Sequence, residues 1–337
     1  MNKAPSSFIQ RIKFIGPSII VTGSVVGSGS IALSPLLGAA AGFSLLWWLL
    51  LSLWSKPIIQ AEISRYVIVA NKTFLESFSD IPGPKTNLKG KKASWLVWFM
   101  FIGVVPSIAG MGGLAGAVAE AGHLMIPFLS IELWVVSACL ITWLILFIGT
   151  YKTLERSLLG MVFFFSVVTL VIAVSMQSTS YAISSEQLLS GLSFSFPFEH
   201  VALALAVFGF TGISYGEIMA YTYWCLEKGY ANHGGNKKEI KAWIKVMQTD
   251  VWATVFFVTI GTLPFFLLGA SILNSLDLYP PPDGDIIQTL LKMFTSILGA
   301  WAKWFFIPLA FLFFFQHCYQ EQLHSPELFQ IILFQLA

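Results

Sequence analysis

The stretch VTGSVVGSGSIALSP, residues 21–35, lies inside a run of 42 residues, Phe14 to Ser55, without one charged side chain. So apolar a run belongs in lipid, yet its middle is Gly and Ser, which hold a helix together poorly. A regular helix satisfies its own backbone, whereas a break at membrane depth exposes N–H and C=O groups that must be buried in protein or face a water-filled cavity. The soft spot is therefore a candidate binding site.

The rest of the chain agrees with a lipid setting. Of its 337 residues 56% are hydrophobic and only 11% charged, with a mean hydropathy of +0.76, values outside the range of soluble domains. A spanning helix needs about 20 mostly apolar residues. Apolar runs of that length predict eight helices, at about 14–40, 43–65, 95–122, 131–150, 157–176, 200–224, 250–273 and 296–315, flanked by a tail over 1–13 and a polar tail over 316–337. The runs are continuously apolar, so they do not read as the alternating strands of a barrel. The fold class is an all-α integral membrane protein.

With the N-terminus in the cytoplasm, the inward segments 1–13, 65–94, 151–157 and 225–248 hold 16 of the 19 Lys and Arg, as the positive-inside rule requires. Lys3, Arg11 and Lys13 precede the first helix with no short apolar region ending in a small-residue cleavage site, so the start reads as a cytoplasmic tail, not a signal peptide. Lys56 and Lys303 fall within predicted spans, and Lys292 in an outward segment. A net charge of +2 concentrated in inward loops points to anionic membrane lipid as the partner and not to nucleic acid. Cys139, Cys225 and Cys318 are far apart and form no C-x-x-C pair, so they read as apolar fillers.

A second interruption matches the first. FGFTGISYGE, residues 208–217, places Gly209, Gly212 and Gly216 in the middle of the sixth helix, five helices after the first break. Discontinuous helices at corresponding positions of two halves are the sequence mark of a transporter's binding site. Glu217 adds a carboxylate inside a span, which costs about 2.5–3.5 kcal/mol on insertion scales and is by default a functional residue. Its plainer alternative is an inner-leaflet carboxylate paired to a neighbour, with Lys56 on the second helix as one candidate. In the third helix AGMGGLAGAVAEAG, residues 109–122, reads as a packing face, with Glu120 and His123 reaching water at its end.

GPSIIVTGSVVGSGSIALSPLLGAAAGFSLLWWLLLS, residues 16–52, with Gln60, Arg65 and ANKTFLESF after it, resembles the first two helices of the Nramp (natural resistance-associated macrophage protein) metal transporters, and FGFTGISYGEIMAYTYW resembles their sixth. The resemblance covers most of residues 14–275 and is weak in helices three to five. It implies the LeuT-type fold, two inverted five-helix repeats with a cation site between broken helices one and six, and transport of a divalent cation by alternating access, usually coupled to protons. The cation is a substrate, and no permanently bound cofactor is implied. A plasma or inner membrane location follows from the same resemblance.

The family's D-P-G-N motif falls on Gly27, Ser28, Gly29 and Ser30, and its A-x-x-M-P-H motif on Phe210, Ile213, Ser214 and Tyr215. The metal-binding Asp is thus Gly27, and the sulfur ligand is Ile213. Losing a carboxylate and a thioether removes the basis for selecting soft transition ions. The candidate cation-binding residues are Gly27, Ser28, Gly29, Ser30, Phe210, Thr211, Ile213, Ser214, Tyr215 and Glu217, with Glu217 the one candidate metal-ligating carboxylate. Hydroxyls, carbonyls and one carboxylate suit a hydrated, magnesium-like ion.

Two other readings stay open. GSGS followed by SP and AG also resembles the first helix of amino acid–polyamine–organocation permeases, where the break offers N–H groups to a substrate carboxylate. A non-transporting scaffold or inactive shortened relative is the other. The LeuT-type repeats need about ten spans and the sequence supplies eight, while HCYQEQLHSPELFQ, residues 317–330, offers no further apolar run. The expectation is a transporter truncated after about eight helices, shortened naturally, cut short, or frameshifted after Gln316.

Overall fold

The computed structural model describes residues 4–318, apart from 6, 15–21, 23–24, 28, 89–90, 149–150 and 282–284. The first predicted helix is discontinuous. Helix α1 covers Phe8–Phe14, the backbone bends at Val26 and Gly27, and a π turn over Gly29–Leu33 leads into α2, Ser34–Ala41, with Pro35 in its first turn. Proline is tolerated there because the first-turn N–H groups have no helical acceptor. Of the expected tail over 1–13, the part from Phe8 is helical, and Ala4 N–H donates to Glu239 Oε2 at 3.3 Å.

Helix α3 runs Leu46–Ala70, longer than the predicted 43–65 at its far end, and stops at Asn71, whose φ of 51° is a left-handed C-terminal cap. A single turn, α4 (Phe74–Ser77), starts with a reciprocal Thr73–Glu76 capping box. DIPGPKTNLKGKK, read from sequence as a plain solvated connection, contains a hairpin of β1 (Lys85–Leu88) and β2 (Lys91–Ser94) with Lys85 opposite Ser94. Four helices follow: α5 (Trp95–Met125), α6 (Ile131–Ile148), α7 (Tyr151–Ser175) and the short α8 (Ser185–Ser190). The sixth span is split into α9 (Val201–Phe210) and α10 (Tyr215–Glu227). Helix α11 (Lys237–Leu268) continues into a second π turn, Gly269–Leu273.

The end of the chain departs from the predicted helix over 296–315. Ile286–Leu298 forms a separate helix, α12, which ends at Gly299 with φ 82°, and α13 spans Ala302–Cys318. Its apolar positions Ile287, Leu290, Met293 and Phe294 recur at helical spacing and are buried, so α12 is amphipathic and packs by one face. Lys303, expected inside a span, stands in the first turn of α13 between the exposed Trp301 and Trp304, the aromatic and basic company typical of a membrane interface. Helix α13 also runs through Gln316, His317 and Cys318, and Gln316 and Cys318 are buried. The expected polar tail and the frameshift idea concern residues that, from 319 onward, lie outside the described ones.

Two apolar clusters hold the bundle. One joins α3, α9, α10 and α11 through Leu49, Leu53, Val207, Ile213, Tyr221 and Trp243. The other joins Ile31 to Phe165 of α7, Phe265 of α11, Phe294 of α12 and Phe306 of α13, with the Phe294 and Phe306 ring centroids 4.5 Å apart. On the outside, Leu133, Val136, Leu140 and Trp143 of α6 and Phe163, Val171 and Val174 of α7 are exposed, an apolar belt suited to lipid. Helices also meet through small residues. A Cβ on Gly38 would lie 2.5 Å from Ala270 N and one on Gly269 2.1 Å from Pro35 O, so α2 and the π turn after α11 touch backbone to backbone.

The packing face expected over 109–122 forms in its later half, where Ala115, Val118, Ala119 and Ala121 are buried. A Cβ on Gly112, Gly113 or Gly116 would meet no atom within 4 Å among the described residues, and the close approach falls instead at Gly122, against the Trp134 ring. Glu120 does not simply reach water: Oε1 accepts from the Ile287 and Gln288 N–H groups at 2.7 and 3.3 Å and so caps α12, a tertiary contact that no local pattern announces.

Candidate functional site

The two breaks face each other. Helix α9 ends at Phe210, Thr211 is extended, Gly212 turns the chain at φ 70°, and Ser214 starts α10 as its N-cap. Only glycine adopts that φ without strain. At the first break a Cβ on Gly29 would lie 1.9 Å from the Phe210 carbonyl oxygen. Helix one therefore passes helix six with backbone against backbone, at the place where both are irregular.

Around this crossing the predicted residues take different parts. Ser30 is buried, and its hydroxyl lies 2.9 Å from Thr262 Oγ1 on α11, which ties the first break to helix seven. Thr211 is buried, with its hydroxyl donating to Val207 O at 2.6 Å. Ile213, at the family's sulfur position, is in the apolar core. Phe210 and Tyr215 have exposed side chains, 63% and 42% accessible, so what Phe210 brings to the crossing is its backbone. Ser28 lies outside the described residues.

Glu217 is half-buried in the first turn of α10. Its Oε2 accepts from Ser214 N–H at 2.8 Å and, more closely, from the Ser214 hydroxyl, completing a capping box. A carboxylate there also meets the positive end of the helix dipole. No direct ion pair joins Glu217 to Lys56 among the described residues; the neighbour that holds this carboxylate is Ser214. No described residue donates to Oε1.

Lys56 is committed elsewhere. Its ammonium donates to the Thr211 carbonyl at 2.6 Å and, more closely, to that of Phe208; Gly209 O stands at 3.4 Å, and the Phe208 ring centroid at 5.1 Å. One turn earlier, Ser52 Oγ lies 3.1 Å from Phe208 O and 3.2 Å from Thr211 O. Ser52, Lys56, Gln60 and Ser64 recur every fourth residue, hence form one polar stripe along α3. Ser52, Gln60 and Ser64 are fully buried, and neither Gln60 amide atom nor Ser64 Oγ has a hydrogen-bond partner among the described residues. The i, i+4 recurrence of Ser52, Lys56, Gln60 and Ser64 is the sequence signal for this stripe.

Two further residues went unnoticed in the sequence. The His317 ring fills the space where a Gly27 side chain would be: a Cβ there would lie 2.3 Å from His317 Cε1. The imidazole of α13 therefore stands where the family's motif has its aspartate. Asp250 of α11 is buried beside Tyr221, Cys225 and Tyr230. Tyr230, in the loop before α11, has its hydroxyl held above the usual tyrosine range, first by burial and then by the Asp250 charge. Away from the breaks, a groove of about 570 Å³ lined by Phe8, Arg11, Ile12, Trp252 and Phe256, among others, runs between α1 and α11. Among the described residues no group of three or more His, Cys, Asp or Glu forms a metal site.

The family model for natural resistance-associated macrophage protein-like (Nramp) proteins matches residues 18–312. A crystal structure of the Eremococcus coleocola manganese transporter, in complex with an aromatic bis-isothiourea substituted compound, superposes with a TM-score of 0.66 at 13% identity, over 99% of this chain and 68% of that one. A mutant of the same transporter gives 0.58 at 12% identity, over 99% and 74%. Curated proteins give no match. At such identities the likeness shows the fold, the broken-helix bundle of the LeuT type, and the family match spans most of the chain.

Proposed function

This chain belongs to the Nramp family, and from that premise we propose that it is a secondary transporter that moves divalent metal cations across the membrane by alternating access. The observation that carries the reading is the crossing of the two breaks, with Gly29 against the Phe210 carbonyl. Irregular backbone at membrane depth is tolerated where protein buries it or where it lines a cavity, and paired breaks are where transporters hold their ions. Glu217 supplies the carboxylate, and Ser30, Thr211, Ser214 and nearby carbonyls, beside Gly27, Phe210, Ile213 and Tyr215, surround the path.

With oxygen ligands and no thioether or helix-one carboxylate, cargo selection is weak, and a hydrated ion such as magnesium suits the site as well as manganese does. His317, beside Gly27, adds a borderline-soft imidazole near the crossing. Proton coupling fits the family and supports the same mechanism. The chain works in the plasma or inner membrane with its N-terminus inside, a placement supported by the 16 inward basic residues of 19. It needs no resident cofactor and is not an enzyme. Its partners are lipid and the cargo cation.

The test is flux. Purified protein in proteoliposomes should take up magnesium and manganese down an imposed gradient, with comparable dependence on the two. Uptake of a labelled amino acid without metal flux would favour the organic-substrate permease, and no flux of either kind a scaffold. Orientation is read separately: a cysteine probe at Ser185 should react from outside, and one at Lys85 should not.

A further inference from the structure

We propose that the carbonyl end of α9 is a cation site in its own right, whose standing occupant is the chain's own Lys56 ammonium. The last carbonyls of a helix have no partner within it, and they form the negative end of its dipole. Here the chain turns away at Thr211 and Gly212, so these oxygens converge on one point. Lys56 Nζ sits there, within hydrogen-bond reach of the Phe208, Gly209 and Thr211 carbonyls and near the face of the Phe208 ring. Carbonyl oxygens with a ring face are the chemistry that holds a weakly hydrated monovalent cation of the size of ammonium or potassium.

A hydrogen-bonding cap alone needs no charge. Ser52 already reaches two of the same carbonyls with a neutral hydroxyl, whereas a lysine inside a span is disfavoured by the bilayer and persists where it has partners and a role. The consequence for cargo rests on the transporter reading above. Gly27 brings no carboxylate, and among the described residues Lys56 and Glu217 place one charge of each sign beside the second break. A divalent ion must then approach an ammonium that cannot diffuse away. Lys56 thereby keeps cargo affinity low and excludes monovalent ions from the carbonyls it occupies.

The experiment compares full-length wild type with Lys56→Ala in detergent by thermal unfolding, in potassium chloride and in N-methylglucamine chloride of equal ionic strength. An empty carbonyl site accepts potassium, so the variant should melt higher in potassium than in the organic cation, with a shift that saturates. Wild type should melt alike in both. Identical melting of the variant in the two salts would overturn the proposal. If Lys56→Ala yields no folded protein, Lys56→Ser, whose side chain is too short to reach the carbonyls, is read by the same criterion. In calorimetry Lys56→Gln should also bind manganese about tenfold more tightly than wild type, and unchanged or weaker binding counts against the proposal. Failure of the transporter reading looks different: wild type then shows no metal flux, while the potassium response of the variant still decides the site.

Discussion

Replacing Gly29 by Ala is the sharpest mechanical test of the crossing. The added Cβ would lie 1.9 Å from the Phe210 oxygen and 2.5 Å from its carbonyl carbon, against a floor near 3.0 Å for real contacts. Both partners are backbone, so no side chain can swing aside, and the breaks must part by at least about an ångström to reach even that floor. Overpacking of that kind costs about 1–3 kcal/mol. A misplacement of about 1 Å at a site of chemistry costs about a hundredfold in rate, and ion transfer through a pair of broken helices depends on geometry in the same way. Gly29→Ala should therefore lower the melting temperature and nearly abolish metal flux. Gly112→Ala serves as the control, because its Cβ meets nothing within 4 Å among the described residues and alanine favours a helix by about 1 kcal/mol over glycine. Wild-type flux and melting in Gly29→Ala would refute the claim that the breaks touch.

Gly27→Asp, which restores the family's carboxylate, should destabilise the chain alone because its Cβ meets the His317 ring; His317→Ala added to it should recover the melting temperature and strengthen cadmium binding in calorimetry. Glu120→Ala should lower stability by about 1 kcal/mol, the usual loss of an N-terminal cap, by stranding the Ile287 N–H that Glu120 accepts at 2.7 Å. The Lys72 ammonium first, then the Tyr66 hydroxyl, holds the Asp80 carboxyl below its usual 3.8. A depressed folded-state pKa means that this contribution is present above about 3.8 and disappears as pH falls through the lower folded value. The melting difference between wild type and Asp80→Asn should accordingly be constant near neutrality and shrink in acid below that point.

Much of this architecture was readable because lipid simplifies the pattern: a run of apolar residues at spanning length has few alternatives, and Gly-rich interruptions at 27–30 and 209–216 stand out against it. Glu217 was visible for the same reason. What escaped was set by tertiary register. Lys56 looked like a counter-ion for Glu217, but the i, i+4 stripe on α3 carries it to the carbonyls of α9. His317 fell in what read as a polar tail, although α13 carries it to Gly27, 290 residues earlier in the chain. Helix α12 forms no apolar run of spanning length, since a short amphipathic helix needs only one apolar face. Asp250 opens the predicted span 250–273 with no local pattern to mark it, yet it is buried.

The central claim is that a cation passes between the two breaks and is met there by Glu217. Its most direct test is gradient-driven magnesium and manganese uptake into proteoliposomes by wild type and Glu217→Gln, with melting temperature as a check on folding. Gln keeps an oxygen for the Ser214 N–H that caps α10, so the variant should remain folded. The account predicts metal uptake by wild type and its loss, by about a hundredfold or more, in the variant. Equal uptake by a folded Glu217→Gln would contradict it.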